Sequence, residues 1–282
     1  MKIGLVLEGG AMRGLYTAGF LDVLMENNIK VDGIIGVSAG ALFGMNLKSK
    51  QKGRVLRYNK KYAKKKDYMG FYSLITTGNI MNKEFCFDKI VNELDPIDFE
   101  TFKNSSEDFF AVVTNVETGK PEYIKIVDLK EEDQIEYLRA SASMPLVSKV
   151  VNVNGKKYLD GGISDSIPVE KAIELGYDKI IVVLTRPIEY RKKKGNQILA
   201  KIMYNKCPNF INTIENRYLM YNKQVEKVIE LEKKNKIFVI RPSRKVNIKR
   251  IEKNIDVLQE MYDLGREDTL DRLESLKEYL KN

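Results

Sequence analysis

"VDGIIGVSAGALFGMNLK", residues 31–48, joins an apolar run bounded by glycine to a stretch able to open a helix. A continuous apolar run without polar alternation suits a strand buried on both faces. Such a strand feeding straight into a helix is the unit of a parallel sheet covered by helices. "KIGLVLE" (2–8) repeats the pattern ahead of "LYTAGFLDVLMENN" (15–28), which is apolar on most sides and reads as a buried helix. "KIIVVLT" (179–185) and "KIFVIRP" (236–242) supply two more core strands. "DFFAVVTNV" (108–116) and "EYIKIVD" (122–128) read as strands around a "TGKP" turn. "VVNVNGKKYLD" (150–160) reads as a hairpin, because Asn-Gly favours the tight turn joining antiparallel strands. The expected class is α/β, with a mostly parallel sheet and helices on both sides.

The C-terminal third is expected to be helical. A helical insert of about 197–235 separates the last two strands. After Pro242, Ile248, Ile251, Ile255, Leu258 and Tyr262 form one three-and-four stripe that ends at Gly265. Leu270, Leu273, Leu276 and Leu280 repeat it.

The chain of 282 residues is 43% hydrophobic and 31% charged, an ordinary globular mixture large enough for a real core. No stretch approaches the run of about 20 apolar residues that spans a membrane. Cys86 and Cys207 stand in no metal-like spacing and read as reduced, buried small hydrophobes, so a disulfide framework is not expected and the compartment read is cytoplasmic. The net charge of +9 favours an anionic partner. Its densest runs, "NKKYAKKKDY" (59–68) and "YRKKKGN" (190–196), read first as solvated lysine. The segment 54–75 interleaves cations with Tyr58, Tyr62, Tyr68, Phe71 and Tyr72, a mixture that suits a lipid–water interface, although the tyrosines fit a core equally well.

"GVSAG" (36–40) fits G-x-S-x-G in the setting this motif requires, between strand and helix, and makes Ser38 a candidate nucleophile. The chain contains no histidine, which excludes a Ser-His-Asp triad. Lysine or a carboxylate remains as base. A carboxylate becomes competent when burial raises its pKa and a direct hydrogen bond positions it. Asp160 in "YLDGGISDSIP" lies at a strand end, the edge where open α/β sheets assemble sites. An oxyanion needs donors, and "GGAMRG" (9–14) offers the amides of Gly9, Gly10 and Ala11, with Arg13 adding charge for an oxyanion or a substrate phosphate. The loop is not a nucleotide-binding one: it lacks G-x-G-x-x-G and G-K-[ST]. Asp165 reads as a surface cap, and Ser141 and Ser143 as local turn chemistry near Pro145.

"GGAMRG", "GVSAG", "RASASMP" (139–145) and "DGG" (160–162), in this order, resemble the patatin-like phospholipase family over roughly residues 1–190. The resemblance implies a three-layer α/β/α fold, a Ser38–Asp160 dyad and ester hydrolysis on acyl lipids, with no metal or organic cofactor. It implies an α/β hydrolase domain over 1–245 and a C-terminal helical extension over 246–282 packed on it. Ala11 replaces the family's third loop glycine, a change of small consequence unless φ is positive there. Glu8 is expected to anchor the loop. The expected partner is a phospholipid or another acyl-ester lipid, with peripheral contact at an anionic inner-membrane surface and no nucleic acid. Alternative readings are a lipid acyltransferase and a non-catalytic anionic-lipid-binding protein.

Overall fold

The computed structural model describes residues 1–281. In chain order its strands are β1 (Ile3–Leu7), β2 (Gly33–Val37), β3 (Asp108–Asn115), β4 (Pro121–Lys125), β5 (Val151–Val153), β6 (Lys156–Asp160), β7 (Lys179–Val183) and β8 (Phe238–Ile240). Its α-helices are α1 (Leu15–Glu26), α2 (Ala39–Lys48), α3 (Arg54–Tyr62), α4 (Phe71–Thr77), α5 (Phe99–Asn104), α6 (Glu132–Ser141), α7 (Val169–Glu174), α8 (Ile198–Met203), α9 (Pro208–Lys233), α10 (Ile255–Asp271) and α11 (Leu273–Lys281). A π-helical segment spans Phe85–Leu94.

All eight strands form one sheet. Its centre, in the order β3-β2-β1-β7-β8, is parallel. β4, β5 and β6 join antiparallel on the β3 side. Side chains alternate across a strand, so each central strand feeds two cores. Leu5 and Leu7 join Ile34 and Phe109 under α1, α2 and α10. Val6 joins Ile35 and Val182 on the opposite face, against Val225 and Val228 of α9. Each such fully buried aliphatic or aromatic side chain contributes about 1.5–3 kcal/mol. The result is a three-layer α/β/α fold with additional C-terminal helices.

Register on β3 positions the site. β2 pairs with β3 from Gly33↔Asp108 to Val37↔Val112. β6 pairs with it from Asn115↔Tyr158 to Val113↔Asp160. β4 pairs with residues 110–114 and so occupies one whole edge of β3. β2 and β6 must therefore share the other edge, approaching from opposite ends. Val37 and Asp160 are opposite the successive residues Val112 and Val113, which puts Ser38 beside Asp160 despite a separation of 122 positions in sequence.

The C-terminal stripe differs from the expected helix. Ile248 and Ile251 precede α10, which starts at Ile255. Glu252 accepts backbone N–H bonds from Lys249, Lys253 and Asn254, and Asn254 caps Asp256 N at 2.9 Å, so this segment stays non-helical until the cap. Gly265 does not end the helix but lies inside it: a Cβ there would sit 2.1 Å from the carbonyl oxygen of Tyr16. Gly19 makes the reciprocal approach, 2.2 Å from the Tyr262 oxygen. Glycine is needed here because α1 and α10 touch backbone to backbone. The leucine pattern that follows is broken at Arg272, between α10 and α11. Cys86 is buried as expected, whereas Cys207 is only half-buried.

Candidate active site

Ser38 occupies the turn between β2 and α2 with φ +55° and ψ −122°. This conformation is rare for a residue with a Cβ and stores about 1–3 kcal/mol of strain. Tight packing around the elbow maintains it. A Cβ on Gly36 would lie 2.5 Å from Ala41 Cα, and one on Gly40 2.4 Å from the Leu7 oxygen. The two glycines of the motif thus let helix, turn and strand close on one another. Ser141 supports the same turn, accepting the Ser38 N–H at 2.9 Å and donating to the Val112 oxygen at 2.7 Å. Its expected role in a local turn is corrected: it is buried and holds the elbow.

The Ser38 hydroxyl donates to Asp160 Oδ2 at 2.8 Å, and Asp160 Oδ1 accepts the Gly162 N–H at 2.8 Å. Ser143 does serve local chemistry, donating to the Arg139 oxygen, but its carbonyl also receives the Asp160 N–H at 2.8 Å. Asp160 is 4% exposed. Burial raises its pKa above the ordinary carboxylate value, against the opposing pull of Arg217 and the Ser38 hydrogen bond. A carboxylate so placed can take a proton from the alcohol it touches.

The glycine loop lies against this pair: a Cβ on Gly9 would be 3.0 Å from the Ser38 Cβ. Among the described residues the amides of Gly9, Gly10 and Ala11 have no backbone partner. Ala11 has φ +49°, so alanine is strained where glycine would not be. Glu8 anchors the loop as expected: it accepts from Thr185 N and from the Tyr221 hydroxyl, at 2.5 and 2.8 Å. Asp165 is not a surface cap. It is buried and accepts from Tyr123 and Gln224, both at 2.6 Å, tying the loop after β6 to β4 and α9.

Two clefts meet at Ser38. One is apolar and runs past Leu42, Phe43, Leu138, Ile90 and Val91. The other is polar and contains Gly9, Gly10, Arg13, Asp160 and Arg217. Ser38, Ala11, Met144 and Arg250 border both. All six expected site residues therefore lie around one point. Arg186, Lys192, Arg217 and Arg250 are additions. Lys192 belongs to a run read as solvated, yet it is half-buried with its ammonium 4.4 Å from the Tyr221 ring centre. Of the aromatic residues in 54–75, Tyr58, Tyr62 and Tyr68 are core, while Phe71 and Tyr72 are exposed. No cluster of three or more metal-ligating side chains occurs among the described residues.

Fold and site together define an α/β protein with a serine elbow whose partner is a carboxylate, beside a glycine loop. The profile described as patatin-like phospholipase matches residues 5–173, and the chain belongs to that family. A second profile, described as a domain of unknown function (DUF6363), matches residues 207–281. The chain is 26% identical over 273 residues to the uncharacterized protein YjjU of Escherichia coli, covering 94% of this chain and 75% of that one. It is 22% identical to the probable lipid hydrolase 463L of Invertebrate iridescent virus 6, over 82% of this chain and 89% of the relative. Lysophospholipase nte1 of Aspergillus fumigatus is 31% identical over 64% of this chain, a match that spans 12% of that much longer protein.

Proposed function

We propose that this protein hydrolyses carboxylic esters of lipids, with Ser38 as nucleophile and Asp160 as its base. The 2.8 Å hydrogen bond from the Ser38 hydroxyl to a buried carboxylate is the observation that carries this reading. Family membership and the relatives named as lipid hydrolase and lysophospholipase support the substrate class. Asp160 accepts the hydroxyl proton as Oγ attacks the ester carbonyl. The oxyanion is stabilised by the unpartnered amides of Gly9, Gly10 and Ala11, with Arg13 as nearby positive charge. Asp160 returns the proton to the leaving alcohol, then takes one from the water that attacks the acyl carbon and hands it to Ser38 Oγ as the bond to the acyl group breaks. The acyl chain occupies the apolar cleft. Residues 246–282 brace residues 1–245, with Arg250 reaching the site.

Peripheral membrane contact belongs to the same proposal. Among the described residues no helix is long and apolar enough to cross a membrane. Phe71 and Ile75 on α4 are 74% and 69% exposed, and Ile198 and Ile202 on α8 are 65% and 66% exposed. Both helices adjoin the segment 146–149: Ile80 N, just past α4, donates to the Val147 oxygen, and the Tyr204 hydroxyl, at the end of α8, accepts from Leu146 N. Exposed apolar side chains in a basic protein suit an anionic lipid surface. The test is fatty-acid release from lysophospholipid micelles by wild type and Ser38→Ala. Release that Ser38→Ala abolishes is expected, and equal release by both proteins would refute the nucleophile. Flotation with anionic vesicles, reduced by Phe71→Asp with Ile202→Asp, tests the surface; recovery unchanged by the pair would remove it.

A further inference from the structure

Five cationic side chains converge on the polar side of Ser38. Arg13 comes from the glycine loop, Arg186 and Lys192 from the segment after β7, Arg217 from α9, and Arg250 from the stretch before α10. None of them forms an ion pair among the described residues. Only two carboxylates line the same cleft, and both are engaged. Glu8 accepts from Thr185 and Tyr221, and Asp160 accepts from Ser38 and Gly162.

Three of the cations are held in place by neutral groups. Arg186 lies 4.3 Å from the Tyr190 ring centre, Lys192 lies over Tyr221, and Arg217 Nε donates to the Gly162 oxygen at 2.6 Å. Arg13 Nε is buried with no hydrogen-bond partner. Rings and carbonyls orient a cation without neutralising it. Burial, then repulsion from Arg217, pushes the Lys192 ammonium down to about 7. Burial, then repulsion from Arg186, pushes Arg13 down to about 10. Positive charge gathered in a half-closed cleft with donors still unmet attracts an anion strongly. Arg13, Arg186, Lys192 and Arg217 line the polar cleft alone, and Arg250 stands where the polar and apolar clefts meet.

We infer that this cleft binds the phosphate of an anionic lipid headgroup, so that the substrate class is an acyl glycerophospholipid whose phosphate is not offset by an ammonium group. The inference rests on the hydrolase reading and assigns its leaving-group side. The acyl chain lies in the apolar cleft, the ester carbonyl at Ser38, and the glycerol phosphate among Arg13, Arg186, Lys192, Arg217 and Arg250. A choline head would carry a cation into a cleft already positive, and a neutral glycerol head would leave the five cations unmet.

The experiment measures kcat/KM on three lysolipids of one chain length: lysophosphatidylglycerol, lysophosphatidylcholine and monoacylglycerol. Wild type is expected to prefer the anionic lipid by about tenfold or more over either competitor, the scale of one lost charge-assisted contact. In Arg186→Gln and Lys192→Gln this ratio falls toward one, whatever happens to the absolute rates, and Arg186→Lys restores part of it. Binding to Ser38→Ala is followed separately by calorimetry with glycerol 3-phosphate, glycerol and inorganic phosphate. Glycerol 3-phosphate binding that is lost on adding Arg186→Gln supports the cleft even if no lipid is cut, an outcome that would refute the hydrolase reading alone. Equal kcat/KM on all three lipids, or a ratio untouched by both variants, overturns the inference. Inorganic phosphate binding as tightly as glycerol 3-phosphate assigns the cleft to free phosphate and overturns the headgroup.

Discussion

Replacing Asp160 by asparagine separates catalysis from folding, because asparagine keeps the shape and removes only the base. Its amide oxygen can still accept the Gly162 N–H, as Oδ1 does at 2.8 Å. The amide nitrogen then faces the Ser38 hydroxyl where Oδ2 accepted it. The hydroxyl oxygen can now only accept there, so its proton turns away and loses its acceptor. The chain has no histidine to take over. General-base assistance is worth about 10²–10⁴ in rate, or about 2.7–5.4 kcal/mol of barrier, and an uncompensated loss belongs at the upper end. Stability moves the other way. The native pKa of Asp160 lies above its ordinary value of 3.8, so between the two values the folded state binds more protons than the unfolded one. Stability from this group is then present at low pH and lost as pH rises through the native pKa. Asparagine does not titrate and so suffers no such loss at pH 7.5. Asp160→Asn should therefore melt at or above the wild-type temperature at pH 7.5, and the difference should shrink toward pH 4. The assays are initial rates on a soluble acyl ester and thermal melts at the two pH values. Activity within tenfold of wild type, or a melting temperature that falls increasingly below wild type as pH rises, would refute the reasoning.

Three further outcomes follow from the geometry. Ser38→Gly should be more stable than Ser38→Ala by about 1 kcal/mol in denaturant melts, because glycine relieves the strain of φ +55° and gives back part of the gain as chain entropy; equal stability would contradict the strained elbow. Val91→Phe narrows the apolar cleft and should shift kcat/KM from long toward short acyl esters by about tenfold, with a packing cost of about 1–3 kcal/mol; an unchanged chain-length profile would remove that cleft as the acyl site. Gly265→Val places a side chain against the Tyr16 carbonyl, where Cβ alone would be 2.1 Å away, and should destabilise the protein by about 3 kcal/mol or more; a melt within 1 °C of wild type would refute the close contact of α1 with α10.

The sequence makes the layers legible wherever a strand is buried on both faces, since apolar runs such as Ile34–Ile35, between two glycines, and Ile180–Leu184, between Lys179 and Thr185, are bounded by glycine or polar residues. It also marks Ser38, Asp160 and the glycine loop, whose backbone demands restrict residue type locally. It does not reveal why Ser38 meets Asp160. That depends on β2 and β6 sharing one edge of β3, a register no local pattern records. Arg217 and Lys192 carry no signal either, because a cation aimed inward and one in solvent look alike in a lysine- and arginine-rich chain. Ser141 stood inside a noted motif, but its partners are Ser38 and Val112, far away along the chain. At the C-terminus apolar spacing continues through Ile248 and Ile251, but the Glu252 and Asn254 side chains satisfy the backbone in a non-helical form and postpone the helix. Gly265, an ordinary stop signal in one dimension, is a contact in three.

The most direct test is the site of covalent labelling by a fluorophosphonate, read by peptide mass mapping. A hydroxyl activated by Asp160 should take up one label per chain, on Ser38, with none in Ser38→Ala and labelling slowed at least a hundredfold in Asp160→Asn. Label that persists in Ser38→Ala, or that reaches Ser38 equally fast in Asp160→Asn, would contradict an alcohol activated by this carboxylate.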